Sequence, residues 1–250
     1  VVSWYTRLMR IVAISDTHTK HKKVTIPECD VLVHAGDFSW KGTYWEIFRF
    51  MKWFSEQPAK HKIVIAGNHE LTLDQTNRAR FNSGAWAAIR SGREHNIYYL
   101  DNSEVVIDGI KFYGTPWTPF FYDWAFNGSD GLTQLDGNRK LVDVYGEIPE
   151  DVNVLVCHGP PYGLVDKSEN GDTRCGSVEM RKLLEDPNRI DLKLFLCGHI
   201  HEARGHEIAC GGVNICNVSS LGRDYETAKP PVIIDLDDVG NVNSVQGYES

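Results

Sequence analysis

The sequence predicts a single α/β domain built on a mixed β-sheet. Three observations carry this reading. Short apolar, β-branched runs recur along the chain, helix-like stretches separate several of them, and no repeat, low-complexity linker or composition shift divides the whole. The 250 residues suit one domain or two and suffice to bury a sizeable core unaided. We read one domain over 1–250, with residues 1–8 an extension or edge strand ahead of a fold that begins near Met9.

The elements follow in order. Residues 11–14, 31–33 and 63–66 are short and continuously apolar, as strands covered on both faces are. Tyr44–Ser55 places Trp45, Phe48 and Phe54 among charges and stops before Pro58, as a helix should. A helix over 77–90 is weakened by Ser83-Gly84. Residues 97–100, 105–107 and 111–113 are strands, and Asp108-Gly109 is a hairpin turn. Aromatic-rich residues 112–126 contain Gly114, Pro116 and Pro119, which deny them a regular helix and predict a structured loop. Strands over 152–156, 192–196, 213–218 and Val232–Leu236 follow, with a short helix at Val178–Leu184.

Composition narrows the function. Hydrophobic residues make up 42%, too many for a disordered chain. The 34 acidic side chains against 26 basic ones leave a formal charge of −8. That balance argues against a grip on long nucleic acid and, taken alone, against anionic substrates. No run approaches the roughly 18 apolar residues of a membrane span, and no secretory signal opens the chain. The six cysteines form no C-x-x-C pair, so the expectation is a cytoplasmic protein without membrane contact.

The polar residues fall in a pattern. Residues 11–15 end in Asp16-Thr17-His18, 31–35 in Gly36-Asp37, and 63–66 in Gly67-Asn68-His69-Glu70. Residues 152–157 end in His158-Gly159-Pro160-Pro161, and 192–197 in Gly198-His199-Ile200-His201. Five apolar strands thus each deliver Asp, His or Asn just past their carboxyl ends, the edge where open α/β sheets bind ligands. Carboxylate, amide and imidazole donors together suit a first-row divalent ion better than Ca²⁺. Any one block alone could be an ordinary polar loop; all five in order are not.

The five blocks resemble the signature of the calcineurin-like metallophosphoesterases, over about residues 10–206. Longer strings around Asp37, 114–119 and His158 are similar to the small metallophosphoesterase-domain-containing proteins, a subgroup near the class III cyclic-nucleotide phosphodiesterases. The resemblance implies a four-layer α-β-β-α sandwich with mixed sheets and a dimetal site at strand ends. It implies Asp16, His18, Asp37 and His201 around one ion, and Asn68, His158 and His199 around the other, with Asp37 bridging. Mn²⁺ is the expected metal, with Fe²⁺, Zn²⁺ or Ni²⁺ as alternatives. A hydroxide shared by the ions would attack phosphorus in line, assisted by His69 as the residue that stabilises the transition state or protonates the leaving oxygen.

Departures from the family pattern refine the expectation. The acidic residue often found three positions after the second-block Asp is here Trp40. Protein Ser/Thr phosphatases of the superfamily carry arginines where this chain has Lys41 and Ala66. Without that clamp on a dianion, the reading tilts to phosphodiesters, cyclic or linear nucleotides among them. Some subgroup members replace the first histidine of the last block by glycine, but this chain keeps His199. The alternatives are a phosphomonoesterase or nuclease of the same superfamily, or a binding scaffold that has lost the chemistry.

Candidate substrate contacts are Trp117 and Phe120 in the aromatic loop, where ring faces could stack a nucleobase, and Tyr162, Lys167 and Arg174 after His158. The cluster Lys20-His21-Lys22-Lys23 could steer an anion or be a solvated surface loop, and His34 is most simply a core histidine. His61, His95 and His206 are surface or outer-layer residues. Two divalent ions with Asp16 and Asp37 would leave a formal local charge of +2. The overall charge of −8 therefore need not repel a small phosphate ester, although it still argues against long nucleic acid. The oligomeric state is left open.

Overall fold

The computed structural model describes residues 8–131, 139–168, 173–189 and 191–248; residues 1–7 of the predicted extension lie outside this set, as do 169–172 of the stretch from Lys167 to Arg174. In chain order the elements are β1 (Met9–Ile14), β2 (Cys29–Ala35), α1 (Tyr44–Ser55), β3 (Ala59–Ile65), α2 (Ser83–Ser91), β4 (Ile97–Tyr99), β5 (Ser103–Ile107) and β6 (Ile110–Thr115). There follow β7 (Thr118–Pro119), β8 (Asn127–Gly128), α3 (Leu141–Gly146), β9 (Val154–Cys157), α4 (Val178–Leu184), β10 (Leu194–Cys197), β11 (Gly205–Ile208), β12 (Asn214–Asn217), β13 (Val232–Leu236) and β14 (Val242–Gln246).

Two six-stranded mixed sheets result, in the orders β14-β13-β1-β2-β3-β4 and β11-β12-β10-β9-β6-β5. The alternation of side chains along a strand sorts the core into layers. Ile11, Ala13, Val31, Val33 and Ile63 from the first sheet meet Phe112, Val154, Val156, Leu194 and Leu196 from the second. Their neighbours point the other way. Val12, Ile14, Leu32 and Val64 pack with Ile47, Phe50 and Phe54 of α1, while Leu155 and Phe195 pack with α3 and α4. The outcome is the predicted α-β-β-α sandwich with mixed sheets.

Helix α1 begins on a capping box between Thr43 and Glu46, each satisfying the other's backbone N–H. Its predicted range is met in full. The second helix differs: Asn82 caps it, and Ser83-Gly84 open it rather than interrupt it, so 77–81 lie outside the helix. Asp108 and Gly109 both adopt positive φ in the β5–β6 hairpin, the backbone such a two-residue turn requires. Residues 112–115 of the aromatic stretch are buried in β6, so the loop itself starts at Pro116.

Candidate metal centre

Strands β1, β2 and β3 run parallel in one sheet, and β9 and β10 run parallel in the other. Their carboxyl ends meet at one edge, where His158 Nδ1 reaches the Ala35 carbonyl at 2.8 Å and Ser15 bridges to Ser219. The five blocks are thereby brought together. Asp37 Oδ2 lies 3.2 Å from His158 Nε2, 3.9 Å from His69 Nε2 and 4.0 Å from His18 Nε2. Asp16 Oδ1 lies 3.4 Å from His201 Nε2, which is 3.2 Å from His18 Nε2. Asn68 Oδ1 stands 3.1 Å from His158 Nε2, and the rings of His158 and His199 are 5.0 Å apart. Asp16, His18 and His201 form one set of donor atoms within 4.8 Å of each other; Asp37, His158 and His199 form a second, and His18, Asp37 and His69 a third.

Backbone conformation aims these side chains. Asp16, His18, Asp37 and His199 all have positive φ, between 39° and 69°, a region non-glycine residues seldom occupy and that concentrates at functional sites. Two glycines of the signature are there for space. A Cβ on Gly67 would stand 2.3 Å from Asp37 Oδ1, and one on Gly198 would stand 2.1 Å from Asp16 Oδ2.

A second layer of contacts orients the first. His18, His69, His158 and His201 each turn Nδ1 to a main-chain carbonyl: Ser39 at 3.3 Å, Trp40 at 2.8 Å, Ala35 at 2.8 Å and Gly222 at 3.3 Å. A carbonyl only accepts, so each Nδ1 carries the hydrogen and each Nε2 faces the centre. The slot where family members often carry an acidic residue is thus served by the main chain of Trp40. Asp16 accepts from Ser15 Oγ, Ser219 Oγ and the His199 N–H. Glu70, the last residue of its block, takes no place in the donor sets. Its carboxylate accepts from the Asp37, Ser39 and Gly67 N–H groups and from Ser39 Oγ, tying the second block to the third.

The donor set fits divalent ions. Bonds of about 2.1 Å at right angles place neighbouring donors about 3 Å apart, close to the 3.1–3.4 Å found between donors here. Burial depresses His18 to about 4 and His199 to about 3, holding both neutral as ligation requires. Burial also disfavours the charged forms of Asp16 and Asp37, but the facing imidazoles outweigh it and lower both carboxyls. Burial opposes protonation of His158, yet Asp37 prevails and raises it to about 9. Two ionised carboxylates are thus held at the centre and draw positive charge to it, a proton on His158 where no ion is bound.

Four aromatic side chains flank this cluster: Phe121 and Trp124 belong to the aromatic stretch expected to form a loop over the site, whereas Trp40 and Tyr225 were not expected there. Trp40 and Tyr225 pack against His18 at 5.1 and 5.0 Å, Trp124 stacks on His69 at 4.2 Å, and Phe121 approaches His199 at 6.1 Å. Of the predicted substrate contacts, Trp117 is buried, Phe120 and Tyr162 are exposed, and Lys167 pairs with Arg174 by a backbone bridge. The Arg174 guanidinium is engaged by buried Asp166 at 2.7 Å. Lys20 and Lys23 both pair with Glu226, and Lys20 also holds the Tyr225 carbonyl, so this basic cluster pins a loop. His34 is a core histidine, bonded to Thr17 Oγ1 and ringed by Phe38 and Phe50.

The calcineurin-like phosphoesterase family model matches residues 9–203, and the chain belongs to that family of metal-binding hydrolases. It is 36% identical over 240 residues to human metallophosphoesterase domain-containing protein 1, across 91% of this chain and 71% of the relative. A UPF0046 protein of Caenorhabditis elegans is 32% identical over 236 residues, across 91% of this chain and 75% of its own length. A crystal structure of a dimetal phosphatase from Danio rerio superposes over 90% of this chain and 92% of that one, with a TM-score of 0.45 and 9% identity, too distant a likeness to carry an argument. No helix among the described residues is long and apolar enough to cross a membrane.

Proposed function

We propose that this chain is a single-domain, dinuclear-metal phosphodiesterase for small diesters, cyclic or linear nucleotides among them. Asp16, His18, Asp37 and His201 would hold one ion and Asn68, His158, His199 and Asp37 the other. Bound as a pair, with Mn²⁺ our assignment, the ions would neutralise phosphoryl charge and activate water at neutral pH. The observation that carries the diester preference is the aromatic rim. Where a dianion clamp would stand, Lys41 is exposed and Ala66 fully buried, while Trp40, Tyr225, Trp124 and Phe121 flank the centre. Such walls suit a phosphorus with an organic group on each side and one negative charge.

Hydrolysis breaks one P–O bond, water oxygen joins phosphorus, and the leaving oxygen needs a proton. The proton that water loses on attack would pass to His69 Nε2 and from there to the leaving oxygen, because the Nδ1–H of that ring is committed to the Trp40 carbonyl. Stacking on Trp124 keeps the ring from turning away. The unpaired thiols Cys29, Cys157, Cys175, Cys197 and Cys216 suit a reducing compartment, and we assign the cytoplasm. Long nucleic acid and membranes are not expected partners. The test is a comparison of bis(4-nitrophenyl) phosphate with 4-nitrophenyl phosphate on Mn²⁺-reconstituted protein. The diester should be cleaved faster; the reverse order would overturn the preference and favour a phosphomonoesterase.

A further inference from the structure

Trp124, which stacks on His69, also borders a cavity of about 390 Å³, large enough for a nucleotide-sized group. Trp124 is the shared wall: its ring packs on His69 and also lines this cavity with Trp117, Tyr122, Arg78 and Arg139. The walls are fixed. Asn127 Nδ2 donates to the Tyr122 and Trp124 carbonyls, and Asp74 Oδ2 accepts the Phe126 N–H.

The polar groups have uneven commitments. Asp74 is occupied on both oxygens by Thr76 and Phe126, and Asp123 is paired with Arg80. Arg78 has no ion-pair partner among the described residues, and the Arg139 guanidinium lies 5.2 Å over the Trp117 ring. Trp117 is 3% exposed, yet its Nε1–H has no acceptor among the described residues. Guanidinium groups beside aromatic faces match a flat ring that carries an oxyanion.

We propose that this cavity receives the leaving half of the substrate, and that this half carries a flat ring and a second oxyanion. The inference rests on the diesterase reading, and it narrows the substrate from small diesters in general to diesters with a further negative charge beyond the reacting phosphorus. Trp124 borders both His69 and this cavity, so the half of the substrate that leaves on the His69 side is the half the cavity would hold.

The test compares the dinucleotide TpT with its terminally phosphorylated forms pTpT and TpTp, in wild type and in Arg78→Glu. One phosphorylated form should exceed TpT in kcat/KM by about tenfold, the worth of one charge-assisted contact. In Arg78→Glu that ratio should fall to about one or below, whatever the absolute rates. Equal ratios in the two proteins, or no preference in wild type, would overturn the inference. Should wild type cleave no diester, the diesterase reading fails, and binding of thymidine 3′,5′-bisphosphate then decides the cavity separately. Saturable quenching of tryptophan fluorescence, weakened about tenfold in Arg78→Glu, would support an oxyanion-and-ring site; identical titrations would reject it.

Discussion

His18 Nε2 and His201 Nε2 face each other at 3.2 Å, while Nδ1 of each ring is turned to a main-chain carbonyl. The two lone pairs therefore point at one place, which Asp16 also faces at 3.4 Å from His201. The arrangement is favourable when a cation joins the three groups. Saturating Mn²⁺ should raise the unfolding temperature relative to chelator-treated protein. At a hundredfold excess over Kd the gain is about 2.7 kcal/mol, or about 5–10 °C for a domain of this size. Thermal unfolding with and without Mn²⁺ measures it, and identical midpoints would speak against a metal at this place.

Asp37 and His69 should separate binding from chemistry. Asp37 faces three imidazoles, including His158 at 3.2 Å, whereas His69 is turned by Trp40 and Trp124. Asp37→Ala should lose both ions and activity together. His69→Ala should retain metal by elemental analysis while turnover falls about 10²–10⁴-fold. Full metal occupancy in Asp37→Ala would remove its bridging role.

Glu70 is expected to matter for stability and to act through its neighbours. It is fully buried, and burial together with Asp37 pushes its pKa up to about 8 against the pull of its donors. Glu70→Ala strands the N–H groups of Asp37, Ser39 and Gly67. At about 1–3 kcal/mol for each of the three stranded groups, the loss should be about 3–9 kcal/mol. Urea unfolding of the metal-free chain reads this directly, and a loss under about 1 kcal/mol would contradict the tie.

His21 supplies a pH signature remote from the donor sets. It is buried beside Trp53 at 4.7 Å, and burial, then Lys22, lower its pKa from 6.5 to about 4. Above the ordinary value it is neutral in both states. As pH falls from 6.5 towards 4 the unfolded chain takes up the proton first, so stability declines. Between pH 7 and 5 this site should cost about 2 kcal/mol. His21→Leu should flatten that part of the profile, whereas parallel wild-type and variant curves would exclude the assignment.

The five blocks were legible because each ligand-type residue directly follows an apolar strand, so order along the chain and place in space coincide. Edge strands β11 and β14 were not, because their exposed faces carry polar residues such as His206, Glu207, Asn243 and Ser244 and leave no apolar run. Helix α3 is only six residues long and falls below what periodicity can register. Tyr225 and Trp124 reach the centre from loops whose path depends on Lys20, Glu226 and Asp74, contacts distant in sequence. Trp40 serves His69 through its backbone, which any residue possesses, so side-chain identity carries no trace of it. The basic cluster at 20–23 reads from sequence as an anion-steering or solvated loop, because Glu226, the partner of Lys20 and Lys23, lies more than 200 positions away from both.

Strand β13 lies against β1 in the middle of the first sheet, and Arg10 Nε meets Asp235 Oδ1 across 225 positions. On the ribosome, where chains grow at about 5–20 residues per second, β1 waits about 10–45 s for that neighbour. Through this interval one flank of β1 offers unpaired backbone groups to any passing strand. Ser219 and His201, which engage Asp16 in the finished molecule, are also translated late. The centre can therefore assemble only once synthesis has passed Ser219, and a product that stops before His201 would carry Asp16 and His18 without these partners.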